Sequence, residues 1–376
     1  MSLSGDVIEM TGLRTTSREL ESDSSSGVSG IDLNQLSPKE LIATGNVIVT
    51  HQDVAGHIRD KLKLNFREVP RGSSEREKIR TISQSSPTLE TSEEQATTEF
   101  SCDTASAEIS FTRLGEGQLS STWNDVWLIG KVKIDHTGSK KDSNFSAEGN
   151  ALSAKSGFSE VGNVSLYGDP AKARLASQRI EGPQINLEEL VQGDAGIQRP
   201  LTVPGSGSIL FVIDQGFDGN TLQKPSLLEI YWTESMAFSN STASFIGNIR
   251  AVMTNELDHK VELTCASMKV YLTEGLQLRS SGQNPSRLQA SGSASDADKN
   301  PIERIECNSK VVVDIDQMKD GVVKSRSHAE FSDLKVNMIT GEFGAVGSGS
   351  SGIIESTHPN SSDTPRTAPR ANARAN

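Results

Sequence analysis

FSAEGNALSAKSGFSEVGNVSLYGDPAKARLASQRIEGPQINL, residues 145–187, is the stretch that decides the fold class. It holds two copies of a short pattern. In one, Ala147, Gly149 and Ala151 alternate with polar residues, Asn150 following the glycine; in the other, Gly162, Val164 and Leu166 do the same around Asn163, with Glu160 at the first position. The period is two, the spacing of a strand with one buried face. Working outward, looser copies surround Gly45, Gly130 and Gly247, and weaker ones Gly5 and Gly341. Glycine weakens a strand through its backbone entropy and marks a bulge, a bend or a close backbone approach. In a regular strand Gly45, Gly130, Gly149, Gly162, Gly247 and Gly341 share the parity of the apolar residues and face inward, where they would let two sheets approach. The competing reading is that Gly-Asn is simply a turn.

The recurrence predicts an all-β chain, an array of stacked strands of the β-solenoid kind broken by long polar insertions. No window carries clean helical spacing. Strand-rich segments span 1–66, 99–273 and 302–347. The stretches 67–98 and 274–301 are Ser-rich and charged and read as flexible insertions, and 348–376 reads as a disordered tail. Residues 190–206 carry Gly-Asp, Arg-Pro and Pro-Gly breakers and read as a loop, or open with a helical turn near Leu187. Asp320-Gly321 reads as the turn of a hairpin.

Composition narrows the function. Among 376 residues, 37 Lys and Arg stand against 49 Asp and Glu, a net charge of −12, which excludes a general nucleic-acid binder. No segment approaches the ~18 apolar residues of a bilayer-spanning helix. The first twenty residues lack a basic region followed by an apolar stretch, so no secretory signal is visible, and a strand repeat that opens at residue 3 suggests the C-terminal part of something longer.

Three cysteines, an odd number, argue against a disulfide framework. Past Cys102 the apolar residues are Ala105, Ala107 and Ile109, and past Cys265 they are Met268, Val270 and Leu272. The buried parity therefore switches just after each cysteine, as at a bulge or corner. After Cys307 it does not switch.

No catalytic constellation emerges. Gly347 to Gly352 matches G-x-G-x-x-G with no helix after it. Asp296, Asp298 and Asn300 begin a calcium-loop spacing, but Pro301 stands where glycine is needed. The six histidines are scattered. The expectation is a non-enzyme without cofactor or metal. Distant carboxylates converging in a groove, as in a carbohydrate-active β-solenoid, stay open.

Residues 145–187, with Ala43, Gly45, Asn46 and Val47 and the stretch 334–350, resemble the OstA/LptA-like family of organic-solvent-tolerance and lipopolysaccharide-transport proteins. Glycine spacing within 340–349 resembles the large OstA-like proteins of planctomycete-type bacteria. The resemblance implies an antiparallel open β-jelly-roll, a place in the periplasm or cell envelope, and a lipid or lipopolysaccharide-like amphiphile sheltered between two sheets. Val132, Ile134, Ala151, Val164, Leu166, Leu175, Ile185 and Leu187 are the inward positions that would line such a slot or fill an ordinary core. Edge strands pairing with a similar protein, or with another copy of the chain, are the alternative partners.

Overall fold

The computed structural model describes residues 2–11, 14–15, 36–37, 39–51, 54–68, 97–113, 119–137, 144–155, 162–175, 178–188, 191–193, 196–198, 200–216, 221–239, 241–254, 259–273, 302–319, 322–346 and 353–355. Among them the protein is all-β. One sheet contains twenty strands: β1 (Ser2–Ser4), β2 (Val7–Thr11), β3 (Glu40–Thr44), β4 (Val47–His51), β5 (Val54–Glu68), β6 (Thr97–Arg113), β7 (Leu119–Thr137), β8 (Phe145–Ala154), β9 (Val164–Leu175), β10 (Gln178–Leu187), β11 (Leu201–Pro204), β12 (Gly207–Gln215), β13 (Thr221–Trp232), β14 (Ser235–Ser239), β15 (Thr242–Thr254), β16 (His259–Leu272), β17 (Ile302–Lys319), β18 (Val322–Asn337), β19 (Phe343–Val346) and β20 (Ile353–Glu355).

Successive strands pair in chain order across this sheet. The short strands come in collinear couples: β3 and β4 both lie along β5, β13 and β14 both along β15, and β19 and β20 both along β18. Every pairing is antiparallel except β5 with β6, which run parallel in register Val54↔Thr98 to Glu68↔Phe111. A parallel pair needs a long connection, and residues 69–96, outside the described ones, separate these two strands in the sequence. The expectation of antiparallel strands throughout is corrected at this one joint. The sheet also runs unbroken from β16 to β17 across residues 274–301.

A line of corners crosses the sheet and divides each long strand into two arms. Inward residues of both arms belong to one buried cluster, with Ile180, Phe211, Ile213, Leu228 and Ile230 fully enclosed. Each large side chain buried this way stabilises the fold by about 1.5–3 kcal/mol. Trp232 fills the inside of one corner: its indole donates to the Gly205 carbonyl at 3.0 Å, and its ring meets Phe245, on the far arm of β15, at a centroid distance of 5.3 Å. Gly207 makes room for it, since a Cβ there would come within 2.5 Å of the indole.

The repeated Gly-Asn pattern builds these corners. Gly45-Asn46, Gly130-Lys131 and Gly247-Asn248 are consecutive left-handed pairs, with φ of 71° and 46°, 77° and 46°, and 84° and 38°. Glycine takes this conformation at no steric cost, and asparagine is among the few other residues that enter it readily. The reading of these glycines as regular inward strand positions is therefore overturned. A Cβ at each would strike a carboxylate side chain, that of Asp6, Asp103 and Glu234 respectively, not an opposing sheet. Gly341, φ 70°, is a hairpin glycine whose N–H bonds to the Asn337 carbonyl. Gly149 does not take positive φ, and Gly162 adjoins residues outside the described ones. Gly149 is tight for another reason: an added Cβ would come within 2.5 Å of the Tyr167 carbonyl on the adjacent strand.

The parity switches after Cys102 and Cys265 are present as register shifts between Ser101 and Thr104 and between Thr264 and Ser267. Leu201–Pro204 forms β11 inside the stretch expected to be a loop, and Leu187 is strand and not the start of a helical turn. Ile353–Glu355 pairs with β18 inside the expected tail. Lys319↔Val322 closes the expected hairpin; its Asp320-Gly321 turn, the Gly347 to Gly352 motif and the 296–300 spacing lie outside the described residues.

Candidate functional site

The candidate site is the inner face of the folded sheet together with its two open ends. Of the eight expected lining residues, Val132, Ile134, Leu166 and Ile185 are buried members of the core, and Val164 and Leu187 pack against it half-exposed. Leu175 ends β9, and its side chain lies outside the described ones. Ala151 is a correction. Asn150 stands opposite two residues, Gly130 and Lys131, so the parity of β8 flips there. Ala151 then falls in register with Ile129, 52% exposed, and Tyr167, while its neighbour Leu152 takes the inward place between Leu128 and Leu166. A flip of this kind is invisible until the partner strand is known.

The inner face is apolar across most of the sheet and turns polar on β18, where Ser325 and Ser327 stand opposite Gln317 and Ile315. The only buried polar residues among those described are Ser110, Ser153 and Ser226, none of them titratable. Burying an unpaired charge there would cost several kcal/mol, and the sheet keeps its charges outside. On the outer face Arg250 grips Glu262 with two hydrogen bonds, 2.7 and 2.9 Å, and Lys260 adds a third contact at 3.0 Å. Arg250, then Lys260, hold the Glu262 carboxyl down at about 2. Arg326 holds Asp316 below the usual carboxylate range in the same way. His328 lies between Asp314 at 2.8 Å and Glu330 at 3.3 Å, and both carboxylates raise its pKa. Burial opposes ionisation of Glu306, but the Tyr271 hydroxyl and Lys335 outweigh it and its pKa is lowered. These are cross-strand ladders, and none aims a charged group at the inner face.

A concavity of about 380 Å³ opens at the first corner, with Asn46, His57, Arg59, Asp103 and Lys131 in its lining. Arg59 is already bound to Asp103 at 2.6 Å. Its polar rim contains none of the eight expected residues. Among the described residues no group of three His, Cys, Asp or Glu could hold a metal ion.

At the two ends of the sheet exposed apolar side chains lie beside open strand edges. Val7 and Ile8 on β2 are 51% and 47% exposed, and Phe343 and Val346 on β19 are 65% and 67% exposed. Among the described residues no strand pairs with the outer edges of β1 and β2 or of β19 and β20. The sequence reading missed these residues as a site. Their signal was position alone, apolar side chains on the first and last strands of an array.

Comparison of the chain with family models, with curated proteins and with solved structures finds no match.

Proposed function

We propose that this chain is a non-catalytic cell-envelope scaffold that shelters the acyl chains of a lipid or lipopolysaccharide-like amphiphile between the arms of its folded sheet, as the OstA/LptA resemblance implies. The observation that supports it is the largely apolar inner face, whose buried polar residues among those described are three serines. The lining is mostly aliphatic, and its arms meet along a line of corners. Parting the arms would admit an acyl chain, which then replaces side-chain contacts with contacts of the same kind. The test is photo-crosslinking with radiolabelled lipid from probes placed at Ile134 and Ile185, with the outward Ile129 and Lys133 as controls. Capture at the inward pair and not at the controls supports the reading. Labelling only at controls or loops removes it.

A second reading rests on the exposed Val7, Ile8, Phe343 and Val346. Unpaired strand edges template pairing with another chain, so the array would join end to end with a second copy or a similar protein. Sedimentation across a concentration series tests it. Assembly abolished by Phe343→Lys with Val346→Lys, and indifferent to lipid, would make edge pairing the primary activity.

A further inference from the structure

The three cysteines are not equivalent. Cys102 lies at the corner of β6, where burial above all pushes its thiol up to about 12; its polar neighbours are the Ile129 backbone and Asp103. Cys265 and Cys307 stand on adjacent strands, β16 and β17, and both face the core, 6% and 1% exposed. They approach the corner from opposite arms. Cys265 closes the arm of β16 that pairs with Val312 to Gln317, and Cys307 belongs to the arm of β17 that pairs with Ser267 to Leu272. Between the pairs Thr264↔Val312 and Met268↔Cys307 the register shifts, and this shift brings the two cysteines onto a diagonal on the concave side of the bend. Cys265 donates its S–H to the Ser267 carbonyl at 3.2 Å, and Cys265 is the neighbour that most raises the Cys307 thiol.

The same corner has a second peculiarity. Its left-handed pair is Ser309-Lys310, φ 66° and 53°, with neither glycine nor asparagine. Each such residue costs about 1–2 kcal/mol relative to ordinary strand geometry. The left-handed pair with neither glycine nor asparagine is thus the one flanked by two buried cysteines on adjacent strands.

We infer that Cys265 and Cys307 are a dithiol placed to close as a disulfide across this corner, a modification site that ties the two arms of the sheet together. A thiolate of the pair attacks the disulfide of oxidised glutathione, or of a thiol–disulfide oxidoreductase, and forms a mixed disulfide. The second cysteine displaces the remaining half. One Sγ–Sγ bond forms and one S–S bond of the oxidant breaks. The two electrons and two protons leave on the two thiols of the reduced partner. The neighbouring Cys265 sulfur, together with burial, keeps Cys307 protonated in the folded state. The exchange therefore belongs to folding, before the core closes over the pair.

The full chain, refolded from denaturant in a glutathione redox buffer or in excess dithiothreitol, then alkylated under denaturing conditions and mapped by mass spectrometry, tests this. The expected product of the redox buffer has lost two hydrogen masses, joins the Cys265 and Cys307 peptides, and is alkylated only at Cys102. Its melting midpoint lies several degrees above that of the dithiothreitol sample. Cys102→Ala keeps that difference, and Cys265→Ala or Cys307→Ala removes it. Should either variant fail to fold, the peptide map of the unmodified chain decides alone. Three alkylated cysteines after refolding in redox buffer, or a bridge that includes Cys102, overturns the inference.

Discussion

Two kinds of corner share the work of folding this sheet, and they alternate along its C-terminal half. β15 and β17 turn on left-handed pairs, Gly247-Asn248 and Ser309-Lys310. β16 and β18, beside them, turn by a shift of parity at Ala266 and Ser332. Each left-handed pair stands opposite a single residue of its neighbour, the two-against-one arrangement of a β-bulge. The strand with the pair takes the longer path around the corner, and its neighbour takes the shorter. One mechanism keeps the buried parity, as from Phe245 to Ile249 and from Cys307 to Val311. The other flips it, as from Cys265 to Met268. The lesson is that a sheet can bend without any strand ending, provided neighbouring strands absorb unequal lengths.

The strongest way to break this picture is to empty the inside of a corner. Trp232→Ala should destabilise by about 3–5 kcal/mol in denaturant melts, the cost of deleting a fully buried aromatic. A loss below about 1 kcal/mol would mean that the arms do not pack on each other there. Next in size is the left-handed glycine. Gly247→Val should cost about 3 kcal/mol, because positive φ in a β-branched residue adds to a collision with Glu234. Gly247→Ala should also destabilise, by about 1 kcal/mol or more. Tolerance of alanine would place Gly247 in regular strand, against the corner assignment.

The comparison sharpens if one corner is rewritten in the language of the other. Replacing Ser309-Lys310 by Gly-Asn should stabilise by about 1 kcal/mol, since relief of left-handed strain exceeds the added entropy of one glycine. A destabilised double variant would show that Ser309 and Lys310 are kept for contacts and not despite their backbone.

The smallest effect is electrostatic. Glu262 is lowered from its ordinary 4.5 to about 2 by Arg250 and Lys260. Its contribution is present above pH 4.5 and is lost as pH falls toward 2. At a partly exposed site it is worth under about 1 kcal/mol. Glu262→Gln should flatten the acid limb of a stability–pH profile by lowering stability above pH 4.5 and leaving it unchanged toward pH 2. For His328 the sign is opposite: its raised pKa gives stability below 6.5 that is lost as pH rises through the folded value. His328→Gln should remove that slope.

Much of this was legible in advance. Alternation in residues 145–187 required strands, and the switch of parity after Cys102 and Cys265 located two corners without coordinates. Ala151 was misplaced because the flip at Asn150 depends on Gly130 and Lys131 across the ladder. The two open ends were legible only as first and last strands, since exposure depends on what pairs beyond them.

The sequence by itself determined the class of structure, because period-two burial is a local property of each strand. Tertiary structure alone decided the bend at Gly45, Gly130 and Gly247. A left-handed pair returns the chain to the same face, so Ala43 and Val47, or Leu128 and Val132, keep an even spacing whether the strand is straight or turned. It alone decided the parallel union of β5 with β6 and the placing of Cys265 and Cys307 on adjacent strands. Those are contacts between segments remote in the chain, fixed by the packing of both arms on one core and written in neither segment separately.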